Sequence, residues 1–193
     1  MIHMTATTPH QTTTIPIHKP GIPEKLFFLI SGIIVSVPLT LFIENFALPP
    51  LETAPINPAI LSALILAPFI EEFAKAYPLF YRHGETERSF VTLGALAGFG
   101  FAIAEFATYI LIGVSPIDRI FGLFFHTSST SIFTYGIAQK QPLPYYVLAV
   151  FLHFSANCST LIGLFWPTSI LVTAITVIIA WTLYNRSSEK IVN

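Results

Sequence analysis

Ala67-Pro-Phe-Ile-Glu-Glu-Phe-Ala-Lys-Ala-Tyr-Pro78 places two adjacent carboxylates, Glu71 and Glu72, and one cation, Lys75, inside an otherwise apolar run from Pro58 to Tyr81. Periodicity and length make the run a helix. Its charges are costly there: an ionised side chain at the centre of a membrane helix costs about 3 kcal/mol or more. Such groups therefore face a protein interior or a water-filled cavity and mark a site. Later apolar segments carry Glu105, His126 and the pair His153/Asn157. The remainder of the chain reads as a frame that brings these groups together.

Composition sets that frame in a bilayer. Of 193 residues, 53 % are hydrophobic and 10 % charged, and the mean hydropathy is +0.71, outside the usual balance of a soluble globular chain. The formal net charge is −1 and there is no basic cluster, so no nucleic-acid partner is expected. The lone cysteine, Cys158, has no partner for an internal disulfide and reads as a small buried residue. Residues 1–23 are rich in Thr, Pro and His, and read as a disordered tail rather than a signal peptide. The apolar run from Leu26 to Ile43 is long enough to remain as an anchor helix.

The fold class expected is all-α, a polytopic transmembrane helix bundle of about six helices. The helices are expected over 24–45, 58–81, 90–112, 117–138, 145–165 and 167–184, with Pro38 kinking the first. The Pro-rich stretch 48–58, the polar stretch 82–89, the turn 113–116 and the turn 139–144 separate them. Asp118 is placed to cap or flank the fourth helix. One domain, 24–185, lies between the tail and a short polar C-terminal segment, 186–193. The third helix carries Gly94, Gly98 and Gly100 among alanines, a density of small residues that lets backbones approach closely in lipid. With both termini cytoplasmic, Lys19, Lys25, Arg82, Arg88, Lys140, Arg186 and Lys190 all fall inside and only Arg119 falls outside, which fits the positive-inside bias.

Depth allows one shared site. At the α-helical rise, Glu72 and His153 lie roughly 14 Å, and Glu105 roughly 24 Å, from the cytoplasmic ends of their helices. His126 lies roughly 10 Å from the outer end of its own, so all four fall in the middle of a core about 30 Å thick. Glu72/Lys75 are spaced i, i+3, while Glu71/Lys75 and His153/Asn157 are spaced i, i+4, so each pair shares a helix face. Lys75 can neutralise one carboxylate while the other serves a different purpose. Adjacent carboxylates point about 100° apart, so the two have different jobs. One would act on water and the other as metal ligand or orienting group. The chemistry that wants Glu, Glu, His and His in such a cavity is hydrolysis. A carboxylate base deprotonates water, a metal such as zinc acidifies it, and the Asn157 amide can donate to an oxyanion. Imidazole and carboxylate suit zinc, although no His-Glu-x-x-His is present.

Glu71-Glu72-x-x-Lys75, Gly98-Phe-Gly-Phe-Ala-Ile-Ala-Glu105, His126 in a Ser/Thr-rich helix, and His153-x-x-x-Asn157, in that order over residues 60–160, resemble the PrsW family of polytopic intramembrane proteases. They are more distantly similar to the CAAX prenyl endopeptidase and bacteriocin-processing superfamily. Those relatives carry histidine where this chain has Phe101-x-x-x-Glu105, and PrsW-like chains usually continue with Asn where this chain has Phe106. The resemblance implies cleavage of a peptide bond in or near the membrane. Glu71 and Glu72 would be the catalytic carboxylates, with the later Glu and His residues as metal ligands or catalytic partners.

The expectation is a multi-pass protease of a prokaryotic plasma membrane that hydrolyses a membrane protein or lipidated peptide. Glu71, Glu72, Lys75 and Asn157 would be catalytic; Glu72, Glu105, His126 and His153 would hold zinc. No other cofactor site is expected. A CAAX-type prenyl-protein endopeptidase, a metal-independent glutamate protease, a proton-coupled carrier and a non-catalytic adaptor are the alternatives. An ion-pair network that only fixes helix packing is the structural alternative for Glu71, Glu72 and Lys75, and interhelical hydrogen bonding is that for His126, His153 and Asn157. His3, His10, His18 and His83 are assigned no site.

Overall fold

The computed structural model describes residues 18–42, 45–46, 57–81, 86–161 and 165–192. Six helices carry them, and no strand occurs among these described residues. Helix α1 is Ile22–Phe42 and continues through Pro38. Helix α2 covers 58–81 in four joined stretches: α-helical Pro58–Leu61, a wide π turn Ser62–Leu66, α-helical Ala67–Ala76 and a tight 3₁₀ end Tyr77–Tyr81. Helices α3, α4, α5 and α6 are Glu87–Leu111, Pro116–Ala138, Pro142–Leu161 and Phe165–Arg186. Two stretches, Glu87–Leu111 and Pro167–Arg186, are long and apolar enough to cross a membrane.

Several boundaries differ from the sequence expectation. Helix α3 begins three residues earlier because Thr86 Oγ1 accepts the Ser89 N–H at 3.1 Å and caps the first turn. Helix α5 begins at Pro142 rather than 145: first-turn prolines lack only an N–H that would have no helical partner. At the start of α4 the cap position belongs to Ser115, with Asp118 inside the first turn. Cys158 is half-buried rather than buried. Most of the expected 48–58 loop, residues 1–17 of the expected tail, and His3, His10, Arg82 and His83 lie outside the described residues. His18 is exposed and pairs with Glu24 at 2.9 Å. The segment after α6 folds back onto the start of α3: Glu87 N–H donates to Lys190 O at 3.0 Å, and Thr86 bridges Ile191.

Helix α3 is central and packs chiefly on α1 and α4, while α4 also contacts α5 and α6. Its glycines make this possible. A Cβ at Gly100 would overlap the Leu29 carbonyl of α1, and one at Gly98 would come within 2.6 Å of Thr130 Oγ1 of α4. Val91, Ile132, Leu152 and Leu183 form an apolar core between α3, α4, α5 and α6. Helix α2 rests against α1, α3, α4 and α5.

Candidate active site

Helix α2 is inside out by the standards of a soluble helix. Glu71, Glu72, Lys75 and Ala76 are buried, whereas Phe69, Phe73 and Tyr77 on the opposite side are 48 %, 45 % and 46 % exposed. This pattern suits a helix that turns its charges to a protein interior and its aromatics to lipid.

Glu72 is fully buried, and its Oε1 collects three donors: Lys75 Nζ at 2.6 Å, His153 Nδ1 at 2.9 Å and Ser129 Oγ at 3.2 Å. Because Glu72 accepts here, His153 carries its proton on Nδ1, and Nε2 keeps a lone pair. That lone pair lies 3.9 Å from Glu71 Oε2. Glu71 Oε2 and Glu72 Oε2 are buried with no hydrogen-bond partner among the described residues. Lys75 Nζ also lies 3.0 Å from His126 Nδ1. An ammonium only donates, so His126 Nδ1 accepts and Nε2–H points to Glu105 Oε2 at 2.8 Å. One connected chain therefore runs Glu105, His126, Lys75, Glu72, His153, with Glu71 at its end.

Aromatic rings wall this chain. Phe101 lies 5.0 Å from Lys75 Nζ and 5.2 Å from the His126 ring; Phe125 stands 5.2 Å from His126 and 5.3 Å from His153. The two imidazoles are 5.1 Å apart. The run Ser128–Ser131 is buried. Its hydroxyls turn back on α4: Thr130 donates to His126 O at 2.8 Å and Ser131 to Thr127 O at 2.8 Å, while Ser129 also reaches Glu72.

A cavity of about 60 Å³ lies against this chain on the side of the α3–α4 turn. Glu105, Phe106, Tyr109, Arg119, His153 and Asn157 are among the residues that line it. It reaches Glu105 and His153, the two ends of the hydrogen-bonded chain, and Phe106 occupies the wall beside Glu105. Residues 23–183 match the sequence profile described as PrsW family intramembrane metalloprotease. The chain belongs to the PrsW family. It is thus an intramembrane protease embedded in a bilayer and acting on membrane protein substrates. No curated protein and no solved structure matches it.

For the metal that the PrsW family name implies, Glu71 and His153 offer free lone pairs, and His126 would complete the donor set by releasing Lys75 or Glu105. Glu71, His126 and His153 each offer one ligand atom, all within 4.8 Å of one another and all buried. The Glu71 Oε2 that lacks a partner is the polar atom such an ion would satisfy. Two lone pairs facing each other at 3.9 Å, on Glu71 and His153, also call for a proton, a water or a cation between them. Glu72 instead sits behind the imidazole and fixes its orientation, an arrangement common behind metal-bound histidines.

Glu71, Glu72, Lys75, Glu105, His126 and His153 lie in this cluster and Asn157 against its cavity, but the grouped donors are Glu71, His126 and His153 rather than the expected Glu72, Glu105, His126 and His153. The Asn157 Nδ2 group donates to Ala63 O at 2.7 Å, in the π turn of α2. Three participants were not anticipated: Ser129, Phe125 and Arg119. Ser129 stands i, i+3 from His126, so its spacing was a usable signal. Arg119 lies over the Tyr109 ring at 3.2 Å, in the cavity wall.

Proposed function

We propose that this PrsW-family protease hydrolyses a peptide bond of a membrane-spanning protein or lipidated peptide, with the glutamate pair divided in labour. The carrying observation is that Glu72 receives three donors on Oε1, leaving only its Oε2 bare, while Glu71 accepts no hydrogen bond among the described residues. Glu71 is the carboxylate that faces the water, taking its proton as base where no metal is held and serving as ligand where one is. Glu72 is the anchor that holds Lys75 and keeps His153 Nε2 turned toward Glu71. Glu105 and His126 form the opposite wall, where the Nε2–H of His126 holds the Glu105 carboxylate and that carboxylate orders the entering water. Asn157, which lines the same cavity as Glu105, presents its amide to the scissile carbonyl as charge develops there.

Glu71, His126 and His153 would hold the metal, with zinc the best match for a carboxylate and two imidazoles. When bound it supplies Lewis acidity, lowering the pKa of water and polarising a carbonyl. A metal-independent glutamate protease is the second reading, because both His126 nitrogens already have protein partners, Lys75 and Glu105.

The catalytic domain spans 24–185 and crosses the membrane six times with both termini cytoplasmic. Supporting this, Lys19, Lys25, Arg88, Lys140 and Lys190 gather at the end of the bundle where α3 starts, opposite Arg119. The cavity then opens toward the outer leaflet.

The test is cleavage in proteoliposomes of a panel of dye-labelled single-span peptides and prenylated or acylated peptides. A product formed by the wild type and lost in Glu71→Gln supports the reading. No product from any peptide, with intact folded protein, counts against it.

A further inference from the structure

The end of the bundle away from the active-site cavity carries a second feature that proteolysis does not use. Lys19, Lys25 and Arg88 line one hollow of about 260 Å³, with Glu189 as the sole acidic side chain among its lining residues. Glu189 is already engaged: Thr86 Oγ1 donates to its Oε2 at 3.2 Å. Arg88 is held in place by its Nη2 bond to Ser187 O at 2.6 Å and by stacking 5.1 Å over Tyr184. Thr92 and Tyr184 also line a second, larger groove of about 500 Å³, so the two adjoin and share these side chains as a wall. That groove runs along α3, α4 and α6 between Val91, Ala95, Val177, Ala180 and Trp181. Trp181 is 65 % exposed and stacks on Tyr184 at 6.1 Å, where the basic hollow becomes the apolar groove.

We infer that this composite groove binds one phospholipid with an anionic headgroup, its phosphate among Lys19, Lys25 and Arg88 and one acyl chain along Val91, Ala95 and Val177. Charge selects the occupant. Three cations against one engaged carboxylate attract an anion, and basic pockets at the ends of transmembrane helices are suited to acidic headgroups. Position selects it again, because the apolar groove adjoins the basic hollow at Thr92 and Tyr184, in the order of headgroup then chain. The Trp181–Tyr184 stack lies at the junction, the level that aromatic residues favour in a membrane. This site is separate from the glutamate–histidine cluster and stands whether or not the catalytic assignment does.

Trp181 gives a direct readout, since the chain's other tryptophan, Trp166, can be removed as Trp166→Phe. The full chain would be placed in phosphatidylcholine bilayers containing small fractions of phosphatidylglycerol or phosphatidylcholine brominated on the acyl chains, which quench a touching indole. Brominated phosphatidylglycerol is expected to quench Trp181 at a mole fraction roughly 25-fold lower than brominated phosphatidylcholine, the net two positive charges contributing roughly fivefold each. In Lys19→Glu/Lys25→Glu that preference should vanish while quenching by the zwitterionic lipid persists. Both lysines are exposed, so this variant should fold, and an unchanged thermal melt of its helical circular dichroism in phosphatidylcholine checks it. Equal quenching by the two lipids in the wild type would overturn the inference. So would a preference that survives the charge reversal, or no selective quenching, as expected if the groove is kept for a substrate helix or a second copy of the chain.

Discussion

Lys75 Nζ sits 2.6 Å from Glu72 Oε1, one helical turn away, with both side chains fully buried. The same ammonium reaches His126 across the bundle, so one cation couples α2 to α4. Lys75→Met leaves Glu72 as an uncompensated buried charge, and removing one partner of such a pair costs about 3–5 kcal/mol. The variant should unfold at clearly lower denaturant in detergent micelles. Adding Glu72→Gln should recover much of that stability without restoring cleavage. A Lys75→Met protein as stable as wild type would show that the ion pair does not hold the bundle.

The two glutamates should separate by assay. Glu71→Gln removes the unpartnered carboxylate and should lower cleavage by roughly 10²–10⁴-fold, the usual contribution of a positioned base, with the thermal stability of the metal-free variant near that of metal-free wild type. Glu72→Gln should lower both, because it loosens Lys75, His153 and Ser129 together. Equal stability losses in the two variants would argue against the division of labour.

Metal content tests the donor set. Purified protein should carry close to one zinc per chain, lost on chelation together with cleavage and restored by zinc alone. Glu71→Gln and His153→Ala should lose the metal outright. Glu105→Gln should retain it with weakened affinity, since Glu105 lies behind His126. Full activity after complete metal removal would establish the glutamate-only reading.

Much of this centre was legible in the sequence. Glu71, Glu72 and Lys75 announce themselves because charges in an apolar helix need a reason, and i, i+3 spacing fixes which of them share a face. The same holds for His153 and Asn157. What spacing does not convey is which face of one helix meets which face of another. The His153–Glu72 and His126–Glu105 bonds join residues 81 and 21 positions apart, and depend on how close α3 lets its neighbours come. Nor was the π turn at Ser62–Leu66 readable, because nothing in Ser-Ala-Leu-Ile-Leu departs from ordinary helix chemistry. Yet its Ala63 carbonyl holds Asn157. Helix starts were missed where prolines and Thr86 act as first-turn and capping residues rather than as breakers.

Asn157 separates a brace from a catalytic group. Losing an oxyanion donor costs roughly 10²–10³-fold in kcat, so Asn157→Ala should drop kcat by that order with KM little changed, and Asn157→Asp, which lacks an amide N–H, should not rescue it. If Asn157 only ties α5 to the π turn through Ala63, the loss would appear in stability and KM instead.

Gly98 links packing to chemistry. A side chain there would run into the His126 carbonyl oxygen and the Thr130 hydroxyl, and the obstacle is α4 backbone, which cannot swing aside as a flexible side-chain tip would. Gly98→Ala should push α4 away from α3 and cost about 1–3 kcal/mol as overpacking. The displacement acts at His126 itself, so the His126 bonds to Lys75 and Glu105 should weaken together. Cleavage should therefore fall further than stability alone explains, even at temperatures where the variant is fully folded. Gly113→Ala makes the control for a glycine change with no steric neighbour: nothing lies within 4 Å of its added methyl, and its positive φ of 90° predicts only local strain in the α3–α4 turn. If Gly98→Ala cleaves as well as the Gly113→Ala control, close approach of α3 and α4 is not what positions His126.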